Sequence, residues 1–132
     1  MNNLELLSDL HAKCFPNKKW TSRDFDALQK SGAEIIMSDN SFIVYRIAGN
    51  EAEIITIGVM PDEQRCGIAT ALTRIMENGL KKKNINKIFL EVAIDNLPAI
   101  GLYEKSGFSK VGTRPKYYDG TTDGIIMQKE IL

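Results

Sequence analysis

The chain is predicted to fold as an α+β (mixed α/β) protein, with one central, mostly antiparallel sheet flanked by helices. Three observations predict this. Helical and alternating apolar patterns succeed one another as two helices, three strands, a helix, a strand, a helix and two strands. The strand "NKIFLEVA" carries apolar residues on both of its faces, as a central strand covered on two sides would. Between the third strand and the third helix stands "PDEQRCGIATAL", where a glycine and small residues open a helix directly after an apolar run. At 132 residues the chain is long enough for a hydrophobic core. No repeat, linker or low-complexity tract divides it, so residues 1–132 are read as a single domain.

Taken in order, Leu4, Leu7, Leu10 and His11 follow helical spacing and give a first helix to about Lys13. His11 is expected at the surface or half buried. "CFPNKKWTS" is a loop, and Thr21 or Ser22 can cap a second helix that runs to about Lys30. "SGAEIIMSDN" reads as turn, strand, turn; "SFIVYRIA" is a second strand; "GNEAE" is a hairpin signal; "AEIITIGVM" is a third strand closed by Pro61. From Gly67 to about Lys83, the residues Ile68, Leu72, Ile75, Met76 and Gly79 form one helical stripe. "NLPAIGLYEKSG" is a helix with Pro98 in its tolerant first turn and Gly107 as its stop. "FSKVGTR" and "GIIMQKEI" are closing strands joined by the loop "PKYYDGTTD".

Bulk composition excludes several function classes. Seventeen basic residues balance seventeen acidic ones, so no overall field draws the chain to nucleic acid or to a membrane surface. Lys81, Lys82 and Lys83 lie near a helix C-terminus, where cations are favoured. Cys14 and Cys66 are too few and too scattered for a disulfide framework or a zinc site, and no metal is expected. The first residues lack the basic region of a signal peptide, and no run reaches the ~18 apolar residues of a membrane span. The expectation is a soluble, cytoplasmic protein, a monomer or weak dimer.

A strand ending at Met60 and a helix opening at Gly67 leave unpaired backbone N–H groups at a helix N-terminus, which attracts anions. Gly67 lets a ligand approach the backbone, Ala69 keeps the next turn small, and Arg65 adds charge at the rim. A phosphate or pyrophosphate suits this geometry, and so does an ordinary tight turn with no ligand. The P-loop pattern and the multi-glycine dinucleotide fingerprint are both missing.

The residues Gln64 to Ala69 resemble the Gln/Arg-x-x-Gly-x-Gly/Ala motif of the GNAT acetyltransferases, and "IFLEVAIDNLPAIGLYEKSGF" is similar to that family's second signature. Order and spacing match over residues 54–109. The segments "CFPNKKWTSRDF" and "RPKYYDGTTDGIIM" resemble the entrance segment and the Arg-x-x-Tyr-Tyr loop of the ribosomal-protein-alanine N-acetyltransferases (RimI type).

The resemblance implies a sheet splayed at an acetyl-CoA site and transfer of acetyl from acetyl-CoA to an amine. It implies main-chain bonds from Ile57, Gly58 and Val59 to the pantetheine arm, with an amide near Val59 on the acetyl carbonyl. Backbone amides of Gln64, Arg65, Cys66, Gly67, Ile68 and Ala69 would hold the pyrophosphate. Asn96 would contact the cofactor, cap the following helix, or both. Glu91 is the expected base: a carboxylate among Ile88, Phe89, Leu90 and Val92 is out of character for a buried strand, though ordinary on a half-exposed one. Glu51 and Glu53 are its rivals. Tyr103 is the expected acid for the departing thiolate, or a core residue, or both. Trp20, Tyr117 and Tyr118 are candidate acceptor-binding aromatics. The family's usual first strand is absent or vestigial here, which touches the acceptor side. The acceptor is expected to be a protein N-terminus, such as that of a ribosomal protein starting with alanine. A lysine, a small-molecule amine or a non-catalytic acyl-CoA-binding role stays open.

Overall fold

Helices and strands follow one another in the order the periodicities set out in the computed structural model of the chain, which describes residues 3–16, 20–64, 67–118 and 120–131. α1 (Asn3–Cys14) and α2 (Ser22–Lys30) come first, then β1 (Ala33–Met37), β2 (Ser41–Ala48) and β3 (Glu51–Val59). A short 3-10 turn at Pro61–Glu63 leads to α3 (Ile68–Lys82), β4 (Lys87–Ala93), α4 (Leu97–Lys105), β5 (Ser109–Tyr118) and β6 (Thr122–Glu130). Of the two candidate caps, Thr21 starts α2. Its hydroxyl accepts from the Asp24 N–H while the Asp24 carboxylate accepts from the Thr21 N–H at 2.7 Å.

The six strands form one sheet in the order β1-β2-β3-β4-β6-β5. All neighbours are antiparallel except β3 and β4, which α3 joins as a parallel crossover. Alternation along β2 assigns the two cores. Phe42 and Val44 face α1 and α2, packing with Leu7, Leu10, Phe25 and Ala33. Ile43 and Tyr45 face the opposite layer, with Leu72, Met76 and Leu80 of α3 and with Ile88, Leu90 and Val92 of β4.

Four expectations need correction. β4 is central but not covered on both sides: Ile88, Leu90 and Val92 are buried, while Lys87, Phe89, Glu91 and Ala93 are only half buried. The cluster under α1 and α2 draws its strand residues from β1, β2 and β3, so that side of β4, β6 and β5 has no helix over it among the described residues. The buried stripe of α3 is Leu72, Thr73, Met76 and Leu80, rotated away from the exposed Ile75 and Gly79. The segment read as the loop "PKYYDGTTD" is largely strand, because β5 is an edge strand. There Pro115 is tolerated, and pairing resumes at Tyr118 opposite Thr122. His11 is 2% exposed rather than at the surface. Four rings enclose it: Trp20 stacked at 4.7 Å, Phe15 at 4.8 Å, Phe25 at 5.7 Å and Phe42 at 5.8 Å.

Tyr45 makes the fold sensitive to alkaline pH. Burial, and then the neighbouring Glu34 carboxylate, push its hydroxyl from 10.0 up to about 12. The folded state therefore keeps the proton that the unfolded chain gives up. This contribution is whole below pH ~10 and is lost as pH rises towards 12. Thermal melts across that range should fall steadily for the parent protein and less steeply for Tyr45→Phe.

Candidate active site

The parallel ladder between β3 and β4 holds only three pairs, Glu51–Lys87, Ala52–Ile88 and Glu53–Phe89. Beyond them the strands part. Immediately past the last pair, β3 carries one residue too many: Tyr45 pairs with Ile54 and Val44 with Thr56, leaving Ile55 as a bulge. A bulge bends its strand and increases the local twist, which turns the end of β3 away from β4. Both strands feed helices, so the gap opens at their C-terminal ends beside the N-termini of α3 and α4. In parallel β–α units that is where ligands meet free backbone donors.

The edge of β3 facing this gap follows from the antiparallel alternation. Met60 donates to the Asn40 carbonyl at 2.8 Å, so Met60–Asn40 and Gly58–Phe42 are the hydrogen-bonded pairs with the β2 side. Ile57 and Val59 therefore turn their N–H and C=O groups out of that ladder. Gly58, expected to join them, spends its own backbone groups on β2. The Val59 carbonyl is occupied: Gln64 Nε2 donates to it at 3.1 Å and Cys14 Sγ at 3.2 Å. Burial pushes the Cys14 thiol up, so it stays a protonated donor there. What remains along the edge, among the described residues, is the Val59 N–H and both polar groups of Ile57.

Gly67 is the N-cap of α3 with φ 80°, in the left-handed region, and offers no side chain to cap the first turn. The N–H groups of Ile68 and Ala69, both half buried, belong to that uncapped turn. A Cβ at Gly67 would meet nothing within 4 Å, so the glycine is required by its backbone angle and not by crowding. Gly67→Ala is expected to weaken binding of an anionic ligand roughly five- to thirtyfold, the ~1–2 kcal/mol of a left-handed alanine. Calorimetric titration with coenzyme A would measure it. Arg65 and Cys66 lie outside the described residues.

Asn96 caps α4, its Oδ1 accepting from the Ala99 N–H at 3.3 Å, and it stays exposed. Seven residues on, Tyr103 is buried among the α3/α4-side cluster, with its ring edge-on to Phe108 at 5.7 Å. Glu91 lies on the opposite face of β4, in register with Ile126. Its side chain is 14% exposed, and Arg114 Nη2 donates to its Oε1 at 2.8 Å. The rivals sit nearer the closed end of the ladder. Glu51 pairs with Lys87, four positions or roughly 13 Å short of Glu91 along the strand, and Glu53 is two positions short.

Trp20 belongs to the α1/α2 core through its stacking on His11, and with Asp24, Ala27 and Leu28 it lines a surface groove of ≈ 470 Å³. The backbone of Tyr117 and Tyr118 closes β5, but their side chains lie outside the described residues. Sequence reasoning missed Arg114, Cys14 and Asp123. Arg114 was legible only as the head of a motif; its partner is two strands away and cannot be found without the register.

The family model for acetyltransferases (GNAT) matches residues 5–108. The chain belongs to the GNAT family. The ribosomal protein bS18-alanine N-acetyltransferase of Escherichia coli (strain K12) is 38% identical over 90 residues, a stretch covering 66% of this GNAT chain and 61% of that relative. An N-alpha-acetyltransferase of Saccharolobus solfataricus is 35% identical over 82 residues, 61% of this chain and 49% of the relative. The matches thus span about half to three fifths of those proteins' length. Among solved structures, the ribosomal-protein-S18-alanine N-acetyltransferase from Escherichia coli superposes with a TM-score of 0.86 at 28% identity, over 99% of this chain and 90% of that one. An aminoglycoside 6'-N-acetyltransferase complexed with coenzyme A gives 0.82 at 17% identity over 98% of this chain and 92% of its own, a likeness of fold alone. Among the described residues no helix is long and apolar enough to cross a membrane, and no group of three or more His, Cys, Asp or Glu is placed to hold a metal ion.

Proposed function

We propose that this GNAT chain transfers acetyl from acetyl-CoA to the N-terminal α-amine of a protein, a ribosomal protein beginning with alanine being the leading acceptor, and does so as one domain in the cytoplasm. The observation that carries the reading is the parting of β3 and β4 after three pairs, beside the uncapped first turn of α3. The pantetheine arm lies along Ile57 and Val59 as an added strand, and the pyrophosphate sits on the amides of Gly67, Ile68 and Ala69. The Val59 N–H is free to meet the acetyl oxygen as it gains charge. Its carbonyl, already held by Gln64 and Cys14, fixes that peptide in place.

Glu91 and Tyr103 lie on opposite faces of β4, and this suits a reaction that brings amine and thioester together from two sides. Glu91 takes a proton from the ammonium. The amine attacks the thioester carbonyl, the C–N bond forms, the C–S bond breaks, and Tyr103 protonates the leaving thiolate, while the second proton shed by the new amide nitrogen restores the tyrosine hydroxyl. An α-amine titrates near ~8 and a lysine near ~10.4, so a single carboxylate suffices for the former.

Incubation with acetyl-CoA and a peptide bearing both a free alanine N-terminus and an internal lysine tests this, with tandem mass spectrometry locating the acetyl group. Acetyl on the terminus is the expected result. Acetyl on the lysine, or none on either amine, overturns the acceptor assignment, and coenzyme A that fails to bind overturns the whole reading.

A further inference from the structure

The two oxygens of the Glu91 carboxylate are not alike. Oε1 accepts from Arg114 Nη2 at 2.8 Å; Oε2 is buried and accepts from no described residue. The ion pair spans three strands, since β6 lies between β4 and β5. Ala93, Gly124 and Arg114 stand in one row of the sheet, with adjacent strands ~4.8 Å apart. Gly124 has no side chain, so the guanidinium can cross over it to reach the neighbouring row at Glu91.

The backbone just beyond Arg114 is held in an unusual shape. Pro115, Lys116 and Tyr117 of β5 oppose Asp123 alone, between the pairs Arg114–Gly124 and Tyr118–Thr122. Lys116 takes a left-handed φ of 52°, and its N–H donates to Asp123 Oδ1 at 2.9 Å. The Asp123 carbonyl in turn accepts from the N–H of Ile94, three residues past Glu91. One residue thus ties the bulge that follows Arg114 to the end of the strand that carries Glu91. Arg114 is 51% exposed, and an ion pair so open to water adds little to stability. Its geometry has another use.

We propose that Arg114 is a positioning residue for Glu91. Its hold on Oε1 fixes the rotamer of the carboxylate, so that Glu91 presents one geometry to the N–H of the incoming amine. Without this hold the glutamate would sample several rotamers. The inference rests on the reading of Glu91 as base, and the test separates the two.

Steady-state kinetics on the alanine-terminated peptide would compare the parent with Arg114→Ala, Arg114→Lys, Glu91→Gln and the double variant Arg114→Ala/Glu91→Gln. Arg114→Ala is expected to lower kcat roughly ten- to hundredfold with KM for acetyl-CoA unchanged. Arg114→Lys, which keeps a cationic donor, recovers most of that loss. In the Glu91→Gln background, Arg114→Ala costs less than about twofold further, because nothing remains for it to position. Should Arg114→Ala melt below the assay temperature, Arg114→Gln takes its place in the cycle. Parent-like kcat in Arg114→Ala, or losses that multiply in the double variant, overturns the proposal and leaves Glu91 as base. Parent-like activity in Glu91→Gln overturns the base reading itself, and the proposal with it.

Discussion

Replacing Glu91 by glutamine should lower kcat by about 10²- to 10⁴-fold, the range of a lost general base, while the Kd for acetyl-CoA stays at the parent value. The two quantities separate because Glu91 lies on the half-buried face of β4, away from the Ile57–Val59 edge and the first turn of α3. Glutamine keeps the size of the side chain and can still accept from Arg114 through its amide oxygen. Arg114, half exposed, stays hydrated, so the fold should lose no more than ~1 kcal/mol. Single-turnover acetyl transfer, coenzyme A titration and a thermal melt on the same preparation would measure all three. If kcat were unchanged, the base would have to be sought nearer the closed end of the ladder, where Glu53 is the next carboxylate along β3.

The parts of this site that are local in sequence were legible in advance, and the parts built across strands were not. The strand-to-helix turn with Gly67 and the cap at Asn96 each depend on a few consecutive residues, and both occur where their patterns indicate. Glu91 stood out as a charge within an apolar strand. What made it unusual was hidden: β4 alternates in burial, so the glutamate is on the half-buried face, and its distinction lies in the partner that Gly124 lets through. His11 was misread for a related reason. Its own helix, with buried residues only at Leu7, Leu10 and His11, says nothing of Trp20 and Phe42, which arrive from a loop and from β2 to enclose it. Gly58 reads as part of a ligand-binding run. Its packing reveals a different duty, since a Cβ there would lie 2.7 Å from the Phe42 ring and 3.1 Å from Cys14 Sγ.

That contact between Gly58 and Phe42 joins the stability of the α1/α2 core to the shape of the candidate cofactor edge. Phe42 is fully buried and touches the His11 ring system on one side and the backbone of β3 on the other. Phe42→Ala is expected to cost ~3–5 kcal/mol, a large part of the ~5–15 kcal/mol that holds a domain folded. Gly58→Ala acts in the opposite sense. Its methyl group forces the ring or the strand aside at about 1–3 kcal/mol, and a strand that moves there carries Ile57 and Val59 with it. Gly58→Ala should therefore raise the Kd for acetyl-CoA as well as lower the melting temperature. Phe42→Leu withdraws the ring end that the methyl group would strike. In that background Gly58→Ala should cost less, by a coupling of about 1 kcal/mol or more, and should restore part of the lost affinity. Denaturant unfolding of the four proteins in this cycle, with coenzyme A titrations alongside, would decide it. Strictly additive losses in stability would mean that the strand and not the ring yields, and that Phe42 does not hold the cofactor edge in place.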